Sequence, residues 1–534
     1  MSNLTPLSAR QTRVATGATR RPLRHVARFV PSRRSSMAEP EIARWLPEMR
    51  TFVLGGGTSV SWRLEQLELL RTVLMEEKEA ILQALDEDLG TGADEGQGIL
   101  LQLCPILMDI KEAINGLEAW SKPKAIPTPL ALQPASCYVQ AQPKGVILVL
   151  SSWNYPLVVM INPFVSALAA GNACILKPSE LAPASAQVMQ RIFGRMDQRA
   201  VRCVLGGVDV SKSLISMPFD HIAYTGSGRV GKLILQAAAP NLTPVTLELG
   251  GKSPVIICGG INIEEACRRI VVGKFSNSGQ TCIAPDYVLV ERHVRDEVVS
   301  KLKDVTREML GEGAAAAQKM TRLVSAEASV RLHAMLRESH GGTVALGGAA
   351  ELPQVARPEK FVQPTIVVDP KKESAMMTEE IFGPILPVIT VNSCDEAISL
   401  INSKEKPLAL YIFAPAPVVD HVIASTSSGA VLVGDTSVHK GNPGLPFGGI
   451  GGSGTGRLHG IYGFEEFSNM RSVMHRPLAV PSAMRLPVDT ALAKAAWMYS
   501  GLHPRTLRRV SQVGRLFMLL LVLFVFRRIL RWRR

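Results

Sequence analysis

Gly145–Leu176 reads GVILVLSSWNYPLVVMINPFVSALAAGNACIL, a run without a single charged residue. Its length alone would suit a transmembrane helix. The punctuation inside it refuses that reading. Trp153–Pro156, Asn162–Pro163 and Gly171–Asn172 cut the run into a strand over Val146–Leu150, a helix over Leu157–Ala170 and a strand over Ala173–Leu176. A buried β-α-β unit explains both the missing charges and the breaks, because a parallel strand covered on both faces has no polar side.

The same alternation extends outward. Downstream, Ala200–Leu205, His221–Tyr224 and Val255–Cys258 read as short β runs, and Val230–Ala239 as a helix. Glu264–Phe275 has the apolar spacing of a helix, and Tyr287–Val290 reads as a strand. The style continues to about Val391, with a further helix over Cys394–Asn402 and a glycine-rich loop at 434–456. Upstream, Leu67, Leu70, Leu74, Ile81 and Leu85 predict one amphipathic helix from Trp62 to Leu89. A second helix follows over Ile99–Trp120, then prolines 123, 127, 129 and 134 and a short strand at Cys137–Gln142. Strands alternating with helices predict an α/β fold around a parallel sheet.

The formal charge of +13 belongs to the ends. Residues 1–36 carry eight Arg and no acid, and residues 490–534 carry Lys494 and nine Arg, again with no acid. These tails hold +18, so the body is mildly acidic at −5 and offers no footprint for nucleic acid. Residues 1–36, rich in Arg, Ser and Thr, have the composition of an organellar transit peptide or of a disordered basic arm. A mitochondrial address is favoured, with plastid or endoplasmic reticulum as alternatives. Near the other end, Leu516–Phe526 is an unbroken apolar run bracketed by Arg515 and by Arg527–Arg528. It covers roughly 16 Å as a helix, short of the roughly 30 Å of a hydrocarbon core. Snorkelling arginines would bring Val513–Leu530 close to a span. The eight cysteines form no C-x-x-C pair, which argues against a zinc site or a disulfide framework.

Chemistry concentrates in a few places. Cys282 lies in KFSNSGQTCIAP (Lys274–Pro285), between a predicted helix and a predicted strand, where Gly279 permits a tight path. A cysteine at such a junction is accessible, and neighbouring N–H groups are expected to favour its thiolate. The bland reading is one more small buried residue. His221–Gly231 (HIAYTGSGRVG) places Gly226, Gly228 and Gly231 in G-x-G-x-x-G spacing after a strand, which suits a pyrophosphate at a helix N-terminus but equally an ordinary turn. Glu248, in TLELGGK, is flanked by leucines, so its pKa should be pushed upward toward the range of a general acid or base. Asn154, in SSWNYP, offers an amide at the end of a buried strand, or simply shapes a turn before Pro156.

Taken together the motifs resemble the aldehyde dehydrogenase superfamily, and most closely its class 3 branch, which includes membrane-bound fatty aldehyde dehydrogenases. The resemblance rests on SSWNYP, AAGNACILKPSE, YTGSGRVGK, VTLELGGKSP, KFSNSGQTCIAPDYVLV, EEIFGPILP, EKPLALYIF, LPFGGIGGSGTG and HGIYGFEEFS, in order over about Arg50–Arg471. It implies that Cys282 attacks an aldehyde to form a thiohemiacetal, with the Asn154 amide and the Cys282 N–H holding the oxyanion. A thioester follows, and Glu248 activates the water that hydrolyses it. Lys177 and Glu180 would bind the adenine-side ribose, and the Glu180 carboxylate favours NAD, with NADP possible. Gly226, Ser227 and Gly231 would line the phosphates, and Glu380 and Phe382 would hold the nicotinamide ribose and ring. No metal is implied. The family usually has Asn-Asp where this chain has Gly434–Asp435, and Arg229 within the glycine turn is unusual and could touch a cofactor phosphate.

The resulting expectation is an aldehyde dehydrogenase-like α/β fold in several parts. Residues 37–121 and 143–247 form a Rossmann-type cofactor domain, 248–430 a catalytic domain, and 122–142 with 431–480 a small β flap for oligomerisation, most simply a homodimer. Residues 490–534 form a membrane tail that directs the enzyme to lipophilic aldehydes. A relative that passes its thioester to phosphate or coenzyme A is the competing enzyme, disfavoured by Glu248. A membrane-tethered scaffold without activity would have no use for Cys282, Glu248 and Asn154 together.

Overall fold

The computed structural model describes residues 39–91, 95–129, 132–350 and 358–478, with a few isolated positions between 490 and 497. The expectations for residues 1–36 and for Leu516–Phe526 lie outside the described residues. Among the described residues no helix is long and apolar enough to cross a membrane.

Among the described residues sixteen strands, numbered in chain order, form three sheets. β1 (Lys124–Ile126) and β2 (Ser136–Pro143) belong to the smallest. β3 (Val146–Leu150), β4 (Ala173–Lys177), β5 (Val201–Cys203), β6 (His221–Gly226) and β7 (Val245–Leu249) lie parallel in the second. β8 (Pro254–Ile257), β9 (Tyr287–Glu291), β10 (Thr343–Leu346), β11 (Thr365–Val368), β12 (Ile385–Val391), β13 (Ala409–Phe413) and β14 (Ala430–Val433) make the third. β15 (Gly454–Thr455) then returns antiparallel to β7, and β16 (Ser468–His475) pairs antiparallel with β2. The spatial orders are β15-β7-β6-β3-β4-β5, β10-β11-β12-β9-β8-β13-β14 and β1-β2-β16.

The opening stretch behaves as its sequence requires. β3 and β4 are buried at every position, and the helix Val158–Ala169 between them is buried from Met160 to Ala169. One apolar core joins these elements to the N-terminal helices. Two further cores line the large sheet. In the six-stranded sheet, parallel pairing in register brings the ends of β3, β4, β6 and β7 to one edge, at Leu150, Lys177, Gly226 and Leu249. Open parallel sheets place ligands outside their carboxyl edge.

Two helices differ from the sequence reading. The single helix expected over Trp62–Leu89 is two, Val60–Glu76 and Lys78–Leu89, hinged at Glu77. Leu74 and Ile81 are buried on both sides of the hinge, and no Gly or Pro marks it, so periodicity could not show it. The helix expected over Ile99–Trp120 opens with a π turn at Ile99–Leu103, in which Cys104 N–H reaches the Ile99 carbonyl, before regular helix over Cys104–Ser121. Pro105 follows this widened turn at once, and a proline lacks an N–H and crowds the carbonyl four residues back.

Candidate active site

The helix Ile263–Phe275 is capped by Asn262, whose side chain accepts from Glu265 N–H at 3.1 Å, and carries Glu264 and Glu265 in its first turn. It ends in a tight turn where Asn277, Ser278 and Gly279 all have positive φ (50°, 52° and 74°). A Cβ at Gly279 would strike the Gly383 carbonyl, so this turn needs glycine for space as well as conformation. Cys282 leaves the turn half-buried and is not in a disulfide.

Asn154 is the clamp on this turn. Its Nδ2 donates to the Gln280 carbonyl at 3.0 Å, and Asn277 Nδ2 donates to the Asn154 carbonyl at 2.8 Å. Ser152 Oγ donates to Asn154 Oδ1 at 2.6 Å, which fixes the amide's orientation. One of the two Asn154 amide protons is therefore engaged, and the other is free for a ligand. Tyr155 adds a second tie, its hydroxyl 2.7 Å from Thr281 Oγ1.

Glu248 sits on β7 with only 5 % of its surface exposed, and neither carboxyl oxygen has a hydrogen-bond partner. Burial raises its pKa well above the glutamate range; the Arg457 charge opposes this and the Glu466 charge adds to it. An unsatisfied buried carboxyl is costly and points to a ligand or a reaction. Glu380 is a second such group. Its Oε1 is closed off from solvent without a partner, and burial, reinforced by Asp286, pushes it up to about 8. The Lys252–Asp286 ion pair stands beside it, and Asp286 Oδ1 also accepts from Ile381 N–H at 3.0 Å. Phe382, at φ 49°, turns its ring edge-on to Trp153 with centroids 5.6 Å apart.

The expected thiolate at Cys282 is not what this environment favours. Burial pushes the thiol up to about 12, with Glu380 and Glu248 adding and Lys440 and the Cys282 N–H opposing. The N–H groups of the turn are too weak to outweigh removal from water.

On the sheet's carboxyl edge, Lys177 is 3 % exposed and ion-paired with the exposed Glu180. Ser227 caps the helix Gly228–Ala238, its Oγ accepting from Val230 N–H at 3.4 Å. A Cβ on Gly226 would collide with the Tyr224 hydroxyl, and one on Gly231 would sit 3.1 Å from Leu249 Cδ2. These glycines let backbone, helix and strand approach closely, leaving N–H groups at the helix start for an anion. The set fits the nicotinamide dinucleotide that the motifs imply: a glycine cradle at a helix N-terminus, a lysine–glutamate pair beyond it, and the orphaned Glu380 oxygen at the opposite end. Arg229 is exposed.

Spacing did not reveal Arg457, Glu466 or Lys440, which come from distant segments, nor that Tyr155, beside Asn154 in SSWNYP, would tie to Thr281. Arg457 Nη1 is held by the Gly449 and Gly456 carbonyls at 2.5 and 2.6 Å, and the loop that carries Lys440 is tied to Ile283 by Ser437. Only the glycine-rich character of 434–456 hinted that this loop would fold against the turn.

The model for the aldehyde dehydrogenase family matches residues 56–473. The chain is 39 % identical over 480 residues to aldehyde dehydrogenase family 3 member A2 of Rattus norvegicus, covering 89 % of this chain and 96 % of that protein. It is 40 % identical over 430 residues to 4,4'-diaponeurosporen-aldehyde dehydrogenase of Staphylococcus aureus (80 % and 92 %). It is 38 % identical over 445 residues to the dimeric NADP-preferring aldehyde dehydrogenase of Canis lupus familiaris (83 % and 96 %). Among solved structures, the substrate-bound state of Staphylococcus aureus AldH superposes with a TM-score of 0.80 at 37 % identity, covering 86 % of this chain and 99 % of that one.

Proposed function

The chain belongs to the aldehyde dehydrogenase family, in its class 3 branch, and we propose that Cys282, Asn154 and Glu248 carry its NAD(P)-dependent oxidation of aldehydes to carboxylic acids. The observation that carries this assignment is the buried, unpartnered Glu248 carboxyl on β7, in a fold where the Asn154 amide is tied to the turn that leads to Cys282.

Each residue has a definable task. Cys282 adds to the carbonyl carbon as its thiol proton leaves, giving a thiohemiacetal. The oxygen that gains negative charge is met by the free Asn154 amide proton and the Cys282 N–H, donors fixed before the reaction begins. The nicotinamide, when bound, supplies the hydride acceptor. After oxidation the acyl group remains on Cys282 as a thioester. Glu248 then takes a proton from water, hydroxide adds to the thioester carbon, and Cys282 departs as a thiolate. Hydrolysis rather than transfer to another acceptor follows from having this base beside the thioester. Glu380 and Phe382 position the nicotinamide end, Lys177 and Glu180 the adenine-side ribose, and Gly226, Ser227 and Gly231 the phosphates. Glu180 favours NAD over NADP by repelling a 2′-phosphate.

The substrate is taken to be a lipophilic aldehyde of medium or long chain, delivered at a membrane held by residues 490–534. The basic segment 1–36 is taken as an organellar address, mitochondrial by preference. The cofactor domain comprises 37–121 and 143–247 and the catalytic domain 248–430. Residues 122–142 and 431–480 are taken as the oligomerisation segments, and the exposed strand β16, paired with β2 in the three-stranded sheet, is the surface offered for homodimer formation. The assignment is tested with Cys282→Ala. It should bind NAD normally yet fail to reduce it with any aldehyde, and more than a trace of activity would remove Cys282 from the chemistry.

A further inference from the structure

The segment that carries Glu380 and Phe382 has little regular structure of its own. A four-residue helix, Ala375–Thr378, runs into a loop that ends where β12 begins at Ile385. Its backbone is held by side chains from elsewhere in the chain. Lys252 Nζ donates to the Met376 and Glu379 carbonyls, each at 2.8 Å, and Lys404 Nζ to the Met377 carbonyl at 2.8 Å. Arg331 donates to the Glu380 carbonyl at 3.4 Å and to the Ile381 carbonyl. Five carbonyls between 376 and 381 thus accept from three cations, and bonds from charged donors are the stronger kind.

Lys252 differs from the other two cations. Its third hydrogen goes to Asp286 Oδ2, in an ion pair whose side chains are 11 % and 5 % exposed, so the ammonium has used all its donors. The other oxygen of Asp286 accepts from Ile381 N–H at 3.0 Å. Both members of the pair therefore grip the same segment, one through carbonyls before Glu380 and one through an N–H after it. Only Gly250 and Gly251 separate Lys252 from the end of β7, and a Cβ on Gly250 would strike the Glu380 carboxyl. Glu248 itself is paired on both sides, with Thr225 of β6 and Gly454 of β15, so its place does not depend on Lys252.

We propose that Lys252 is a positioning residue for hydride transfer: with Asp286 it fixes the backbone on both sides of Glu380, and so sets where Glu380 and Phe382 hold the nicotinamide end of the cofactor. It touches no reacting atom. Without its ammonium, two carbonyls lose their donor, a buried carboxylate loses its counter-charge, and the segment shifts. Misplacing a reacting group by about 1 Å costs on the order of 10²-fold in rate. This inference rests on the roles given above to Glu380, Phe382 and Cys282.

The test compares Lys252→Met with the parent, both as full-length proteins. Without ligand, amide hydrogen exchange should quicken at least about tenfold over 376–382 and stay parental over 245–249. In stopped flow with aldehyde and NAD, the burst of reduced nicotinamide should slow about 10²-fold. Hydrolysis of p-nitrophenyl acetate, which calls on Cys282 and Glu248 but on no nicotinamide, should fall by less than about threefold. The double variant Lys252→Met/Asp286→Asn buries no unpaired charge, so its thermal midpoint should recover while its burst stays slow. It also carries every reading if the single variant does not fold. A merely structural role predicts that ester hydrolysis and the burst fall together, that exchange quickens over both segments, or that the burst recovers with the midpoint. Any of these overturns the proposal, as does a parental burst in Lys252→Met. A parent that gives no burst with aldehyde, or a Cys282→Ala variant that gives one, overturns the functional assignment instead.

Discussion

Replacing Glu248 with glutamine separates the two halves of the proposed reaction. The side chain is 5 % exposed and neither oxygen is hydrogen-bonded, so an amide of nearly the same size leaves no cavity and breaks no contact. What changes is the ability to accept a proton. A positioned general base contributes roughly 10²–10⁴-fold, and burial raises this carboxyl well above the usual glutamate range, which strengthens it as a base. Steady-state turnover should therefore fall by about 10³-fold while acylation persists. Stopped-flow absorbance should show a burst of reduced nicotinamide, stoichiometric with subunits, followed by almost no turnover. The substitution also has a stability signature. Because burial raises the Glu248 pKa, the native chain holds this proton more tightly than the unfolded chain does. Stability is then lost as pH rises from the unfolded value of about 4.3 toward the native one. Glutamine removes that loss, so the thermal midpoint of Glu248→Gln relative to the parent should climb with increasing pH. Disappearance of the burst, or a turnover loss below about tenfold, would show that Glu248 does not activate the hydrolytic water.

Three further outcomes follow from the same site. Asn154→Ala should cut kcat by about 10²–10³-fold through loss of an oxyanion donor, and thermal unfolding should register the lost bond to the Gln280 carbonyl as well. Glu180→Gln should raise kcat/KM with NADP relative to NAD at least about tenfold, or about 1.4 kcal/mol of discrimination; an unchanged ratio would place the selectivity elsewhere. Truncation after Ala491 should release the enzyme into the soluble fraction after cell disruption while activity on short, soluble aldehydes survives. If both forms fractionate alike, the tail is not the anchor and the lipophilic substrate loses its main support.

The fold was legible where burial leaves a one-dimensional trace. The uncharged run from Gly145 to Leu176 required strands covered on both faces, and its Pro, Asn and Gly breaks located the turns, so β3, the following helix and β4 fall where they were expected. The site was legible only as separate pieces: a cysteine after a glycine turn, a carboxylate between leucines, an asparagine ending a strand. Their order along the chain matched a known pattern. The hinge at Glu77 left no such trace, because the apolar stripe continues through it.

Tertiary structure decided the electrostatics. The ionisation of Cys282 depends on its burial and on Glu380, Lys440 and Glu248, which lie between 34 and 158 positions from it in the chain. Solvation and Coulomb energy depend on distances through space and on excluded water, and neither is encoded in the residues adjacent to a group. Sequence determined which side chains could do this chemistry. Only the folded chain, by bringing the 434–441 loop onto the turn at Ile283, decided which charges those side chains face.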